Sequence, residues 1–215
     1  MMDEMRNRMP ALSFPGSYED DHGVDELRWH IEPVNGSYEI HTVVRGIPVR
    51  GIDFDGLEPA APGLPVSSFG DLSHCLLRGD LPCEIEVDGD RRPGIVRFAL
   101  DLRSARPERN LALSMVVDGT THTVVDAWFE DGLLRLEQAF GASVRLVSCV
   151  TCLYSDYSPA GHGLTGMLCH REAKVQYLAV RSKADYWSVP VTERVPETHL
   201  CAEYERRVPG TGYRG

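Results

Sequence analysis

The sequence predicts a mainly β protein: an antiparallel β-sandwich or, as the second choice, an open barrel, with a small α-containing, cysteine-rich, metal-binding lobe at the C-terminal end. Three observations lead to this fold class. Apolar and polar residues alternate along many short segments, turn residues separate these segments, and four of the six cysteines fall between Cys149 and Cys201. Alternation with a period of two is typical of strands that bury one face.

The N-terminal part of the chain is predicted to differ from the rest. Residues 1–24 contain Met, Pro, Gly and acidic residues without periodicity, which indicates a disordered or loosely attached arm. Residues 25–148 are expected to form the antiparallel β domain. In its first strand Leu27, Trp29 and Ile31 alternate with polar neighbours. Two strands and a short helix are expected next, over 38–44, 47–54 and 71–77.

The segment from Leu81 to Val150 has the clearest strand pattern. Its Asp118-Gly119 and Asp131-Gly132 dipeptides predict tight hairpin turns, because glycine adopts a positive φ without a Cβ clash. A strand is therefore expected after the second turn, over 133–138, and another over 143–150. The whole region indicates a meander that buries one face against a second sheet.

Charge and composition restrict the classes of partner. The 32 acidic and 22 basic residues give a net charge of −10, which disfavours a nucleic-acid backbone or an anionic membrane as partner. No apolar run approaches the roughly 18–20 residues that span a bilayer, and the start of the chain does not resemble a signal peptide. A cytoplasmic location is therefore expected. In a reducing cytosol, clustered cysteines bind metal or do redox work more often than they form disulfides.

Four cysteines are the candidate metal ligands: Cys149, Cys152, Cys169 and Cys201. The first two form a Cys-x2-Cys knuckle, which places two thiolates on one tight turn, and two single cysteines follow. Four thiolates suit one tetrahedral zinc ion in a closed, structural site. An iron–sulfur cluster accepts the same ligands. A redox pair at Cys149 and Cys152, or thiols without a ligand, are further alternatives.

The predicted lobe spans residues 149–215 and contains one helix, from about residue 170 to 181. Because this lobe is short of apolar residues, bound zinc would supply much of its folding free energy. Three histidines, His162, His170 and His199, lie near the cysteines in the sequence, and any of them could replace one cysteine ligand. Cys75 and Cys83, in contrast, occupy apolar positions of the β region and are expected to be small core residues.

The C-terminal third carries a set of short motifs. They are Cys149-x2-Cys152 followed by Tyr154-Ser155-Asp156-Tyr157-Ser158-Pro159, then Leu168-Cys169-x-Arg171, Glu197-Thr198-His199-Leu200-Cys201 and Thr211-Gly212-Tyr213-Arg214-Gly215. Together they resemble an uncharacterised family of bacterial proteins of similar size, a domain of unknown function. The resemblance covers roughly residues 145–215. It implies that the four cysteines and the terminal pentapeptide belong to one structural unit, and it implies no activity, substrate or partner.

Two classes of function are consistent with these observations. The sequence contains no Gly-rich phosphate loop, no His-Glu-x-x-His motif and no Gly-x-Ser-x-Gly elbow. The first hypothesis is therefore a non-enzymatic, zinc-stabilised adaptor that binds a protein partner. The alternative is an enzyme whose site lies between the β domain and the cysteine lobe and uses His162, Asp156 or a cysteine thiolate.

Overall fold

The structure is a computed structural model that describes residues 11–103, 110–157 and 163–211. The strands before residue 127 are β1 (Leu12–Asp20), β2 (Gly23–Val34), β3 (Ser37–Val44), β4 (Ile47–Gly51), β5 (Glu58–Pro59), β6 (Leu76–Val87), β7 (Asp90–Asp101), β8 (Leu111–Val117) and β9 (Thr120–Asp126). The later elements are α1 (Phe129–Ala139), β10 (Val144–Leu146), β11 (Ser155–Tyr157), β12 (Met167–Cys169), α2 (Lys174–Leu178), α3 (Lys183–Ser188) and β13 (Glu193–Val195). In the three described ranges, no helix has the length and apolar character that a membrane crossing requires.

Ten strands form one large antiparallel sheet in the order β5-β4-β3-β2-β1-β6-β7-β8-β9, with β10 paired to β6. The strands β11, β12 and β13 form a separate three-stranded antiparallel sheet. The prediction of a mainly antiparallel β fold is confirmed. One large sheet, whose buried face packs against α1 and the residues after β10, is present where a β-sandwich or, as the second choice, an open barrel was predicted.

The strands bury one face because apolar residues recur at every second position. In β8, Leu111, Leu113, Met115 and Val117 are buried, whereas the residues between them are not. Successive side chains of a strand point to opposite faces of the sheet, so this pattern directs all four to the same side. The same alternation in β3 and β7 extends the apolar face across the sheet.

Residues 12–24 do not form the loosely attached arm that was predicted. They belong to β1 and the start of β2, and β1 lies in the interior of the sheet, between β2 and β6. Phe14 and Tyr18 of β1 are fully buried. The strand pattern was obscured because Pro15 and Gly16 interrupt it, although Gly16 has a packing role of its own. Residues 1–10 of the predicted arm lie outside the described residues.

Residues 133–138 were predicted as a strand and instead lie in the helix α1. Phe129, Leu133 and Leu136 recur at helical spacing and are buried against the sheet. Asp131 lies in the first turn of α1, where the helix dipole favours a negative charge. A Cβ atom at Gly132 would lie 2.8 Å from Leu113 Cδ1, so the glycine allows the helix to approach β8 closely. The Asp131-Gly132 dipeptide therefore lies in the first turn of a helix rather than forming a hairpin turn.

The two predicted helices also differ from the structure. The helix expected over 71–77 is absent, since Leu72 forms an isolated bridge with Val66 and β6 begins at Leu76. The single helix expected over 170–181 is reduced to a 3-10 turn (Arg171–Ala173) and the short helix α2.

The boundary predicted between residues 148 and 149 does not separate two cores. Val150, Leu164, Met167 and Val195 belong to the same buried cluster as the large sheet. The described residues from Cys149 to Thr211, called the C-terminal segment below, also have an apolar cluster of their own. It contains Cys152, Tyr154, Leu168, Ala173, Tyr177, Val180, Tyr186 and Val189. The C-terminal segment is therefore not short of apolar residues, contrary to the prediction. The sequence did not indicate this cluster, because its side chains are spread along the chain rather than grouped in one periodic element.

Replacing Gly16 by alanine is expected to destabilise the sheet. A Cβ atom at position 16 would lie 2.3 Å from the backbone oxygen of Arg78 and 2.3 Å from Trp29 Nε1. Because the backbone of β6 cannot yield easily, we expect a loss of roughly 3 kcal/mol in the free energy of unfolding. Gly56→Ala is the matched control, since nothing lies within 4 Å of its added methyl group. Equal denaturation midpoints for the two variants would contradict this packing.

Candidate functional site

The four cysteines predicted as metal ligands lie in three parts of the C-terminal segment. Cys149 begins a 3-10 turn (Cys149–Thr151), and Cys152 follows it directly. Cys169 ends β12, and Cys201 lies beyond β13. The first three are buried and Cys201 is half-buried. A backbone hydrogen bond of 2.8 Å from Cys149 N to His199 O brings the chain before Cys201 alongside the turn.

The structure brings these four thiols into one neighbourhood. Burial, and then the proximity of Cys152, Cys169 and Cys201, raise the pKa of the Cys149 thiol well above its ordinary value. The pKa of Cys169 is raised to about 11, mainly by burial. Among the described residues, however, no group of three or more His, Cys, Asp or Glu side chains is arranged so that it could hold a metal ion. The thiols are thus neighbours without forming a ligand set, and zinc binding there stays a prediction.

Two hydrogen-bond donors are directed at the sulfur atoms. Glu203 N donates to Cys201 Sγ at 3.3 Å, and Arg171 Nη1 lies 3.8 Å from Cys169 Sγ. Arg171 also forms a largely buried ion pair with Glu193. Donors of this kind stabilise the negative charge of a thiolate, as hydrogen bonds to metal-bound sulfur do.

The three histidines that could replace a cysteine ligand have different positions. His162 lies outside the described residues. His170 is buried, with Nδ1 donating to Pro190 O at 2.9 Å and Nε2 3.4 Å from Tyr186 Oη. Both of its ring nitrogens therefore face groups other than the thiols. Burial, and then the charge of Arg171, lower the pKa of His199 to about 4, so its ring is neutral at pH 7.

A network of buried polar side chains joins the strands and turns of the C-terminal segment. Tyr177 Oη donates to Asp156 Oδ2 at 2.9 Å, and Arg207 donates to Tyr177 Oη at 3.2 Å and to the backbone oxygen of Ser155. Tyr157 Oη donates to Glu197 Oε1. These contacts link β11 to residues 21 to 52 positions later in the chain. Asp156, named for the enzymatic alternative, is therefore occupied by structural hydrogen bonds.

The comparison with protein families covers the part of the chain that builds the large sheet. A profile of the family of unknown function DUF6304 matches residues 12–155. The chain belongs to this family. No match was found among curated proteins or among solved structures.

The DUF6304 match overlaps the motif region of residues 145–215 only over its first residues. It confirms that the chain contains a domain of unknown function, whereas the specific motifs and a bacterial origin stay predictions. The match spans β1 to β10 and the Cys-x2-Cys turn. The large sheet, Cys149 and Cys152 therefore lie within the family region, and Cys169 and Cys201 lie beyond it.

Sequence reasoning missed the buried polar network of this DUF6304 chain. Tyr157 and Glu197 both lie in the short motifs, but nothing in their sequence spacing indicates that they form a hydrogen bond. The available signal was the presence of acidic residues and tyrosines in segments that also contain cysteines.

Replacing Tyr177 by phenylalanine tests this network. The change removes the donor to Asp156 and leaves a buried carboxylate oxygen without that partner, so we expect a loss of about 1–3 kcal/mol in the free energy of unfolding. Tyr154→Phe is the matched control, because its hydroxyl bonds Glu205, which is 53% exposed and retains access to water. Denaturation curves in which the control loses as much as Tyr177→Phe would contradict the role of the network.

Proposed function

We propose that this DUF6304 protein is a non-enzymatic protein-binding module in which zinc, held by Cys149, Cys152, Cys169 and Cys201, fixes the C-terminal segment against the large sheet. The observation that carries the proposal is that Cys152, Cys169 and Cys201 lie close enough to the Cys149 thiol to raise its pKa, although the four cysteines come from three parts of the chain.

The chemistry of the four thiols supports zinc in particular. Zinc binds thiolates tetrahedrally at about 2.3 Å, and four of them leave no open position for a substrate. A change of side-chain rotamer moves a cysteine sulfur without moving the backbone, so neighbouring thiols can close around an ion. The guanidinium of Arg171 and the N–H of Glu203 would offset part of the negative charge of four thiolates.

The partner surface in this proposal lies on the outside of the C-terminal segment. Val175 is 84% exposed and Val191 is 45% exposed, and both line one shallow depression together with Arg171 and Lys174. Exposed apolar side chains rimmed by charged ones are typical of protein interaction sites. Zinc would hold the two valines in a fixed relation, because Val175 follows Cys169 closely and Val191 precedes Cys201.

One observation favours the enzymatic alternative: a cavity of about 280 Å³ lies between the large sheet and the C-terminal segment. Its described lining contains neither a cysteine nor a histidine, and Asp156 does not contribute to it. Thiol or histidine chemistry is therefore less well supported than the binding role.

Metal analysis of the purified protein tests the proposal. We expect about one zinc ion per chain, no visible absorption, and loss of the zinc in Cys152→Ser but not in Cys83→Ser. A brown protein that contains iron would favour the iron–sulfur alternative, and a metal-free protein would favour a redox pair at Cys149 and Cys152.

A second experiment separates binding from metal. The purified partner protein, once captured by the wild-type chain, should bind Val175→Asp at least tenfold more weakly, although this variant keeps its zinc. Unchanged affinity for Val175→Asp would contradict the proposed surface.

A further inference from the structure

The two edges of the large sheet differ in how they are protected from further strands. One edge is β5, which contains two residues and ends in Pro59, and very short strands and prolines block the addition of another strand. The other edge is β9, which contains seven residues and pairs only with β8 among the described residues. It has no proline, lysine or arginine, and its one acidic residue, Asp126, lies at its end. The β9 edge is therefore open to pairing.

The hairpin between β8 and β9 determines which backbone groups face outward. Asp118 and Gly119 have φ angles of 48° and 80°, and this two-residue turn places Val117 opposite Thr120. The pair beside such a turn exchanges both of its backbone hydrogen bonds, and bonded pairs then alternate along the ladder. Every second residue of β9, beginning with its second, therefore directs its N–H and C=O groups away from β8. These residues are Thr121, Thr123 and Val125.

Apolar side chains flank the open edge on both faces of the sheet. On the outer face, Val116 of β8 and Val125 of β9 are exposed. On the core face, Val124 of β9 and Leu134 of α1 pack against the core but remain only partly buried. A strand added to β9 would cover part of this apolar surface, and removing apolar surface from water stabilises an association.

The β9 strand is complementary to a second copy of itself. A two-fold axis through Thr123 pairs this residue with itself and places Thr121 opposite Val125 of the second copy, so every outward N–H and C=O group gains a partner. Pairs of β-branched side chains pack well across neighbouring strands. None of the three outward residues is charged, so two chains that each carry a net charge of −10 would meet at a neutral strand.

We propose that two copies of this chain pair through β9, antiparallel and centred on Thr123, to form one continuous sheet. The two-fold axis is perpendicular to that sheet, so both core faces lie on the same side and Val124 lies beside His122 of the second copy. The proposal goes beyond the binding role proposed above, since β9 contains no cysteine and does not contribute to the surface around Val175.

Analytical ultracentrifugation of the full-length protein tests the assembly. We expect the wild-type chain to sediment with the mass of two chains and to dissociate on dilution. Thr123→Lys places two like charges opposite each other at the axis and should raise the dissociation constant at least tenfold. Val43→Lys, at an exposed position of the distant strand β3, is the matched control and should leave the constant unchanged. A wild-type chain that stays a monomer throughout the dilution series would overturn the proposal, as would equal weakening by both lysines.

Amide hydrogen exchange measured by NMR shows whether β9 is the contact. The N–H groups of Thr121, Thr123 and Val125 donate to the second copy in the proposed pair, so they should exchange slowly in the wild-type protein and much faster in Thr123→Lys. The N–H groups of His122 and Val124 donate to β8 and should stay protected in both. Fast exchange at the three outward positions of a wild-type dimer would place the contact elsewhere and overturn the assignment.

Engineered cysteines test where the axis lies. In Thr123→Cys the two new thiols are opposite each other, at a Cα separation of about 5.5 Å that suits a disulfide. In Thr121→Cys, the matched control, each new thiol faces Val125 of the second copy instead. Mild oxidation should therefore yield at least tenfold more covalent dimer from Thr123→Cys, and equal yields would overturn the proposed register. Val175→Asp should remain a dimer, so this proposal and the proposed partner surface can fail separately.

Discussion

Replacing Trp29 by alanine is expected to lower the free energy of unfolding by about 3–5 kcal/mol, the range found when large aromatic side chains are removed from protein cores. The ring is completely buried at the centre of the sheet and lies edge-to-face on Phe54, with centroids 4.9 Å apart. Its Nε1 donates to Arg78 O at 2.8 Å, so the change also leaves a backbone acceptor without this donor. Chemical denaturation followed by circular dichroism measures the loss.

Trp187→Ala is the control for this prediction. Trp187 is 58% exposed on α3, so its removal should change the stability by less than about 0.5 kcal/mol. If Trp29→Ala were no more harmful than Trp187→Ala, the sheet would not be packed around Trp29 as the structure has it.

Cys149→Ser is expected to have the second large effect. If four thiolates hold zinc, losing one removes a ligand from a closed site, and the metal contributes a substantial part of the stability of such segments. We expect hydrogen-exchange protection to fall first in β11, β12 and β13, which follow Cys149 and contain Cys169. The global stability should also fall by more than about 3 kcal/mol, since Cys149 belongs to the main core.

Cys75→Ser separates a metal effect from the burial of a hydroxyl. Cys75 is as deeply buried as Cys149 and is not one of the four predicted ligands. Its replacement should cost about 1–3 kcal/mol, whether or not a chelator is present. A Cys149→Ser variant with the same modest loss, equally insensitive to a chelator, would show that Cys149 is only a core thiol.

The sheet could be predicted from the sequence because its signal is local. In β8 every second residue, from Leu111 to Val117, is apolar, and this pattern alone predicts a buried face. The Asp118-Gly119 turn likewise fixes the hairpin between β8 and β9, where both residues have positive φ angles.

The misassigned elements have signals that are not local. The strand β1 is stabilised by partners on both sides, β2 and β6, and β6 lies about 60 residues later in the chain. In α1, the three apolar residues Phe129, Leu133 and Leu136 suit a helix, but Asp131-Gly132 has the composition of a turn. Packing against Leu113 decides the outcome, and that residue is distant in the sequence.

The candidate sites show the same division. The Cys-x2-Cys spacing identified Cys149 and Cys152, whose 3-10 turn is a local structure. The cavity between the large sheet and the C-terminal segment is lined by Asp53, Asn110 and Trp128, among others. These residues come from three distant segments, and no spacing in the sequence associates them. Their relation depends on how α1 and Gly163 pack on the sheet, which only the folded chain reveals.

Zinc K-edge X-ray absorption of the purified, full-length protein tests the central claim most directly. We expect one zinc ion per chain with four sulfur neighbours at about 2.3 Å, and replacement of any one of Cys149, Cys152, Cys169 and Cys201 should abolish that spectrum. Zinc with mainly nitrogen or oxygen neighbours, or a stable, folded protein without zinc, would contradict it.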